Sequence, residues 1–357
     1  MLCKMHDRQH CVLTGSGTTA LWMAYSCVPV ERPRILLPAI LCLDPVLAVH
    51  YANRTPVFSD VLASNATIDP ECALGMIEQD PTIGAVVAAH LYGNPADLSR
   101  LESVCRKKGV LLIEDAAQAL GGSGRDTRLF GSAGDVAILS FGHTKILDVG
   151  AGGAFLTDDG ALADRARRLH GELNVKPENE ILANSYRELF YSIWGYGDQD
   201  RKAMRLFGSF PDVYRDLHLH RATSSMASDI SQALRDLERE VEHRRYCARI
   251  YREGLDGIPG ISFFETADES VPWRFSFCLP ADRRDGVLSQ LREAGYDASR
   301  WYPNVSDWTV PYGAPGKALT VADRIESEVV NLWVTGEYDK SRIEAAVNVV
   351  TTALSTL

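Results

Sequence analysis

No cysteine pair in this 357-residue chain has C-x-x-C or zinc-ligand spacing. Its eight cysteines, Cys3, Cys11, Cys27, Cys42, Cys72, Cys105, Cys247 and Cys278, are scattered. That argues against a disulfide framework and against a metal site, and predicts free thiols in a reducing compartment. A basic block is also missing: 37 Lys and Arg face 47 Asp and Glu, for a formal net charge of -10. A nucleic-acid partner held by phosphate contacts is therefore not expected. No apolar run approaches bilayer length, and the opening "MLCKMHDRQHCVLTG" has no core of signal-peptide length. The expectation is a cytoplasmic protein with no membrane partner. Internal repeats, low-complexity tracts and flexible linkers are absent too, so the domains are expected to pack tightly.

What is present is an ordinary globular composition, 46% hydrophobic and 24% charged, in a chain long enough for about two domains. From Val12 to Asp158, β-rich apolar runs such as "RILLPA", "GAVVAAHLY", "GVLLIEDAA" and "DVAILSF" alternate with helix-like stretches. In "DLSRLESVCRKKG", Asp97 is placed to cap a helix and Gly109 to stop it. Apolar runs without polar alternation suit strands buried on both faces, so an α/β core with a mostly parallel sheet is predicted. After Asp158 come long helical patterns, an aromatic-rich stretch and one extended helix through "SMASDISQALRDLEREVEHRRYCARIYREGL". A compact αβ segment follows, with strand-like "ISFFE" and "WRFSFCLP". The expected division is a large domain over 1–240, carrying a helical insertion at about 172–217, and a small C-terminal α/β domain over 241–357.

Four local features of the first domain could carry chemistry. In "TGSGTTALWMAY", Gly15, Ser16, Gly17 and Thr18 open a helix, whose free N–H groups and dipole suit a phosphate. The same residues serve equally as ordinary helix caps. Asp115 ends the apolar run "LLIEDAAQALGG", with Gln118 three residues on and Glu114 as its neighbour on the strand. Ligands of open α/β sheets bind beyond the carboxyl ends of strands, which is where an acid at that position would lie. Ser140 ends the next apolar run, and Lys145 follows in "SFGHTKILDVGAGG". Desolvation lowers a lysine's pKa, so a lysine between a buried strand and a glycine-rich loop is either a solvated turn residue or a nucleophilic amine. A phosphate cradle, a strand-end acid and a lysine are together what pyridoxal phosphate (PLP) requires.

The ordered run "GSGTTAL … LPAI … PVFSDV … HLYGNPADL … IEDAAQALGG … GDVAILSFGHTK … GAGGAFLTDD" resembles the DegT/DnrJ/EryC1/StrS family of PLP-dependent sugar aminotransferases. The resemblance implies a PLP-dependent transferase of fold type I and a homodimer with active sites at its interface. It implies Lys145 as the Schiff-base lysine and Asp115 as partner of the pyridine nitrogen. Gln118 falls near the cofactor's phenolic oxygen, and Gly17, Thr18 and Ser140 fall at its phosphate. The implied reaction moves an amino group from an amino acid donor, glutamate in the family, to a keto group of a nucleotide-linked sugar or related cyclic polyol. Elimination, dehydration or racemisation on the same cofactor, and a non-catalytic sensor with the same fold, are the rival readings.

Three departures from the family pattern stand out. Cys42 occupies the place of an aromatic ring that stacks on the cofactor, and a thiol packs there with less area. "HLHRATSSM" replaces the segment whose asparagine reaches the neighbouring subunit's phosphate, leaving His220 or Arg221 as substitutes. The aromatic-rich stretch between about 172 and 217 is either helical packing, dimer surface or a lid over the acceptor. Further candidates for substrate contact are His90, Tyr92 and His143, each with a structural alternative. Arg274 and Arg300 could bind a donor carboxylate as a bidentate pair or serve as ordinary surface arginines.

Overall fold

In a computed structural model, the residues described are 1–124, 127–177, 180–191, 211–306 and 319–356. The first half builds a seven-stranded sheet from β1 (His10–Thr14), β2 (Arg34–Pro38), β3 (Thr55–Ser59), β4 (Ile83–Ala89), β5 (Leu111–Asp115), β6 (Val136–Ser140) and β7 (Gly153–Thr157). Their order across the sheet is β1-β7-β6-β5-β4-β2-β3. Pairing is parallel from β3 through β6, and β7 runs antiparallel to both its neighbours. The apolar runs are buried as their composition requires: all of "IGAVVAA" in β4, "VAILS" in β6 and "GAFLT" in β7 lie inside. Fold type I is the α/β architecture this sheet and its helices define.

The helix Gly17–Ser26 is buried from Thr18 to Tyr25, which matches a sequence apolar on every side. It starts beside β7 and carries its N-terminus to the edge where the parallel strands end. Helix Ser99–Lys108 begins after Asp97, whose Oδ1 accepts the Ser99 N–H at 3.0 Å, and stops at Gly109 with φ 63.

The second sheet is antiparallel, with β8 (Ser262–Phe263), β9 (Phe275–Cys278) and β10 (Val329–Leu332) in the order β10-β9-β8. Its core gathers Tyr251, Phe277, Leu288, Val330 and Val350 from strands and helices alike. The helix Leu237–Leu255 serves both cores: Leu237 and Val241 pack with the large sheet, Cys247, Tyr251 and Leu255 with the small one.

The extended helix expected from residue 225 to 255 is a correction: two helices, Ser224–Ala233 and Leu237–Leu255, are separated by a turn at Leu234–Asp236. The break lets each half meet a different part of the large core. Ile230 rests against Gly152, whereas Val241 and Leu237 rest against Gly121. One straight helix cannot aim side chains at both places, and tertiary packing overrides the continuous local pattern.

Candidate active site

The ends of β4, β5 and β6 place three sequence candidates side by side. His90 follows β4, Asp115 closes β5 and Ser140 closes β6, with the His90 N–H bonded to the Asp115 carbonyl at 3.0 Å. Asp115 and Ser140 line a cavity of about 320 Å³ that also includes Lys145, Gly17 and Thr18. Strand alternation separates the two neighbouring acids. Glu114 points to the opposite face, where it accepts the Gly131 and Ala133 N–H groups, each at 2.7 Å, and bonds His90 at 2.9 Å. Asp115 faces the cavity and accepts only the Ala117 N–H, at 3.0 Å, among the described residues. Burial pushes its carboxyl above the usual carboxylate range, opposed by that N–H, by Lys145 and by His90.

Lys145 sits on a loop whose backbone is held from both sides. Asp148 accepts the N–H groups of Thr144 and Gly150, each at 2.8 Å, closing the turn from within. From outside, the Trp273 indole donates to the Thr144 carbonyl at 2.7 Å and Arg244 reaches the Lys145 carbonyl at 3.5 Å. Thr144 has φ 67, a left-handed conformation that this network must maintain. The Lys145 amine has no hydrogen-bond or salt-bridge partner among the described residues, so it is available to a ligand.

The phosphate cradle can be tested against the packing. Ser16 caps the helix by accepting the Thr19 N–H at 2.9 Å, and donates its hydroxyl to the His218 carbonyl at 2.6 Å. That occupies Ser16 and leaves the first-turn N–H groups of Gly17 and Thr18 facing the cavity. A Cβ at Gly17 would lie 2.9 Å from the Ser140 Cβ, and a Cβ at Gly153 would lie 2.6 Å from the Ser16 carbonyl carbon. Glycine at both positions brings the helix N-terminus against the end of β6 and the start of β7, a close approach that lets backbone donors and the Ser140 hydroxyl serve one anion. With an acid buried beside this cradle and an unpartnered amine opposite, the donor set fits PLP.

The remaining candidates divide. Cys42 lines the cavity, and burial pushes its thiol up to about 12, with Asp44 adding to the rise and Lys145 opposing it. Gln118 lines it as well, but its amide bridges the Tyr92 N–H and the Tyr302 hydroxyl, both at 2.9 Å. His90 and Tyr92 have no uncommitted polar atom to offer a substrate. The His90 ring accepts the Ala96 N–H at Nδ1, donates to Glu114 from Nε2 and stacks on Phe130 at 3.9 Å. The Tyr92 hydroxyl donates to the Trp301 carbonyl and accepts the Tyr302 N–H. His143 is exposed at the mouth, 3.7 Å from Asp148. Of the two arginines, Arg274 lines the cavity, 3.9 Å from the Trp333 ring centroid, whereas Arg300 pairs with Asp285 outside it. His220 is buried against Gly15 and also lines the cavity; Arg221 is exposed, bridged to Thr14.

Sequence reasoning missed Asp44, Tyr186, His218, Trp273 and Tyr302, all of which line the cavity. Asp44 lies two residues past Cys42 and could have been found as a first-turn acid; the others come from distant segments with no local motif. Tyr186 belongs to the part of the expected insertion that is described, helix Glu180–Tyr191, whereas 192–210 lie outside the described residues. Among the described residues, no group of three or more His, Cys, Asp or Glu side chains is placed to hold a metal, and no helix is long and apolar enough to cross a membrane.

Sheet and cavity together define a fold type I enzyme. Residues 1–196 and 200–351 match the DegT/DnrJ/EryC1/StrS aminotransferase family, and the chain belongs to that family of aminotransferases. It is 28% identical over 97% of its length, and 85% of the relative's, to the erythromycin biosynthesis sensory transduction protein EryC1 of Saccharopolyspora erythraea. It is 30% identical to the dTDP-4-dehydro-2,3,6-trideoxy-D-glucose 4-aminotransferase of Saccharopolyspora spinosa, covering 83% of this chain and 72% of that one. Among solved structures, S. venezuelae DesV in complex with a ketimine intermediate aligns with TM-score 0.77 and 26% identity, over 98% of this chain and 86% of DesV.

Proposed function

We propose that this chain is a PLP-dependent aminotransferase that moves an amino group from an amino acid, with glutamate as the donor, to a keto group on a nucleotide-linked sugar or related cyclic polyol. The observation carrying this reading is that Lys145, with no side-chain partner among the described residues, shares one cavity with the buried acid Asp115 and the Gly17–Ser140 cradle. When bound, PLP supplies an electron sink that allows a proton to leave the carbon next to nitrogen.

The chain's own residues do the rest. The Gly17 and Thr18 N–H groups and the Ser140 hydroxyl hold the phosphate dianion at the positive end of a helix. Asp115 holds a proton on the ring nitrogen by a charge-assisted hydrogen bond, which also relieves the cost of burying its carboxylate. Lys145 would hold the cofactor through its Nζ, and the same amine, when free, would serve as the base that moves the substrate proton. Cys42, a neutral thiol, would offer a packing surface to the ring, and Gln118 lines the same cavity. Trp273, Arg244 and Asp148 keep the lysine's backbone in place. A homodimer with sites at its interface, active in the cytoplasm, accords with the family.

The test is a visible absorption spectrum before and after adding glutamate, followed by product analysis with 15N-glutamate and a keto-sugar. The expected result is a yellow protein that bleaches, and label in the product amine. Lys145→Ala should abolish turnover while leaving the fold intact; a Lys145→Ala protein that transaminates at the wild-type rate overturns the assignment.

A further inference from the structure

Asp44, Tyr186 and His218 form a part of the cavity wall distinct from the Gly17–Ser140 cradle, Asp115 and Lys145. Asp44 stands in the first turn of helix Leu43–Tyr51, and its carboxylate accepts one hydrogen bond among the described residues, from the Tyr186 hydroxyl at 3.2 Å. A carboxylate offers about four acceptor positions, so most of its capacity remains. His218 is 6% exposed; its Nδ1 meets the Tyr51 hydroxyl at 3.0 Å, and its Nε2 has no hydrogen-bond partner among the described residues. The Tyr186 ring meets the His218 imidazole edge to face, with centroids 4.8 Å apart. A buried polar nitrogen without a partner is costly, and on a cavity wall a ligand can meet that cost. This wall is tied to the cradle, since the His218 carbonyl accepts both the Ser16 and Thr19 hydroxyls, at 2.6 and 2.8 Å.

The charges restrict what can sit there. Asp44 repels carboxylates and phosphates, the exposed Lys176 on the same cavity lining attracts them, and burial lowers the His218 pKa, so the imidazole itself is neutral at physiological pH. A hydroxyl suits both partners, because it donates to the carboxylate and can either donate to or accept from a neutral imidazole, whichever tautomer is present. We infer that Asp44, Tyr186 and His218 form the acceptor-recognition wall, binding hydroxyls of a six-membered polyol ring and so orienting its keto group toward Lys145. This rests on the aminotransferase reading and deepens it: the acceptor's ring hydroxyls are what Asp44, Tyr186 and His218 read. Both a free keto-inositol and a nucleotide-linked keto-sugar carry that chemistry.

The test varies both substrates of the holoenzyme and obtains separate kcat/KM values for glutamate and for each of the two acceptors, in wild type, Asp44→Asn and Tyr186→Phe. Expected is a loss in acceptor kcat/KM at least about 10-fold larger than the loss for glutamate, the size of one charge-assisted hydrogen bond. The acceptor that reacts in wild type distinguishes a free polyol from a nucleotide-linked sugar. Equal losses for donor and acceptor, or no loss for either, overturn the inference. Calorimetric titration of the holoenzyme with myo-inositol and with a nucleotide-linked sugar lacking the ketone supplies a readout independent of turnover. Binding of at least one of them must weaken by about 10-fold in Asp44→Asn; equal binding by both proteins, or binding of neither ligand to wild type, overturns the inference. Should wild type transfer no amine to either acceptor, the proposed activity fails and this titration still decides the wall's role. Melting temperature and cofactor absorbance check that each variant is folded and loaded; if Asp44→Asn is not, Tyr186→Phe, which removes a single oxygen, carries the comparison.

Discussion

Glu114 and Asp115 are adjacent acids on one strand, and replacing each by its amide should separate stability from catalysis. Glu114 is 1% exposed and is met by three donors: the N–H groups of Gly131 and Ala133 and His90 Nε2. Because His90 Nδ1 accepts the Ala96 N–H, its Nε2 carries the proton. In Glu114→Gln the amide oxygen can keep Gly131 and His90, but the amide NH2 then faces the Ala133 N–H, donor against donor. Losing a charge-assisted bond and orphaning a buried N–H costs about 2–4 kcal/mol. Asp115 behaves in the opposite way. Its folded pKa is raised by burial, so the stability linked to its protonated form is present below the ordinary carboxylate pKa and is lost as pH rises through the raised value. Asp115→Asn in cofactor-free protein should therefore match wild type near pH 4 and be the more stable of the two near pH 8. Its turnover as holoenzyme should fall by about 100-fold or more, the range for a group controlling a proton in the transition state. Urea denaturation followed by circular dichroism at both pH values, with kcat per folded molecule, measures all of this. The reasoning fails if Glu114→Gln has the wild-type urea midpoint, or if Asp115→Asn is the more destabilised of the two at pH 8.

Gly153→Ala should loosen the phosphate cradle, because the new methyl would lie 2.6 Å from the Ser16 carbonyl and 2.7 Å from the Gly17 nitrogen. Overpacking of that kind costs about 1–3 kcal/mol, and a cofactor titration unchanged from wild type would refute the close approach. His6 is fully buried and burial lowers its pKa to about 4, so only the unfolded chain takes up its proton as pH falls from about 6.5 toward about 4. The stability that His6 contributes is present above the unfolded value and lost in that window, by about 2 kcal/mol between pH 7 and pH 5. His6→Leu should narrow the difference between urea midpoints at pH 7 and pH 5; an unchanged difference would show that His6 plays no part in acid sensitivity. His220, also lowered to about 4 by burial, contributes in the same direction, as do His170 and His218, both lowered by burial as well.

The sequence by itself determined whatever depends on neighbours along the chain. Unbroken apolar runs specified buried parallel strands because both faces of "GAVVAA" need cover, and the glycine-opened helix at Gly17 followed from backbone freedom and free N–H groups. The order of strand-end acid, strand-end serine and loop lysine placed Asp115, Ser140 and Lys145 at one edge, since successive parallel strands all end there. Only the tertiary structure decided which polar atoms were already committed. His90 and Gln118 both line the cavity, with hydrogen bonds to Glu114, Ala96, Tyr92 and Tyr302 that the sequence does not reveal. It alone brought Asp44, Tyr186 and His218 together from three distant segments, and it broke the helix expected through Leu234 so that its halves could serve different parts of the core. Strand and helix periods are set by local backbone geometry and leave their mark on residues a few places apart. Side-chain partners are set by contacts between segments far apart in the chain, and no local pattern records those.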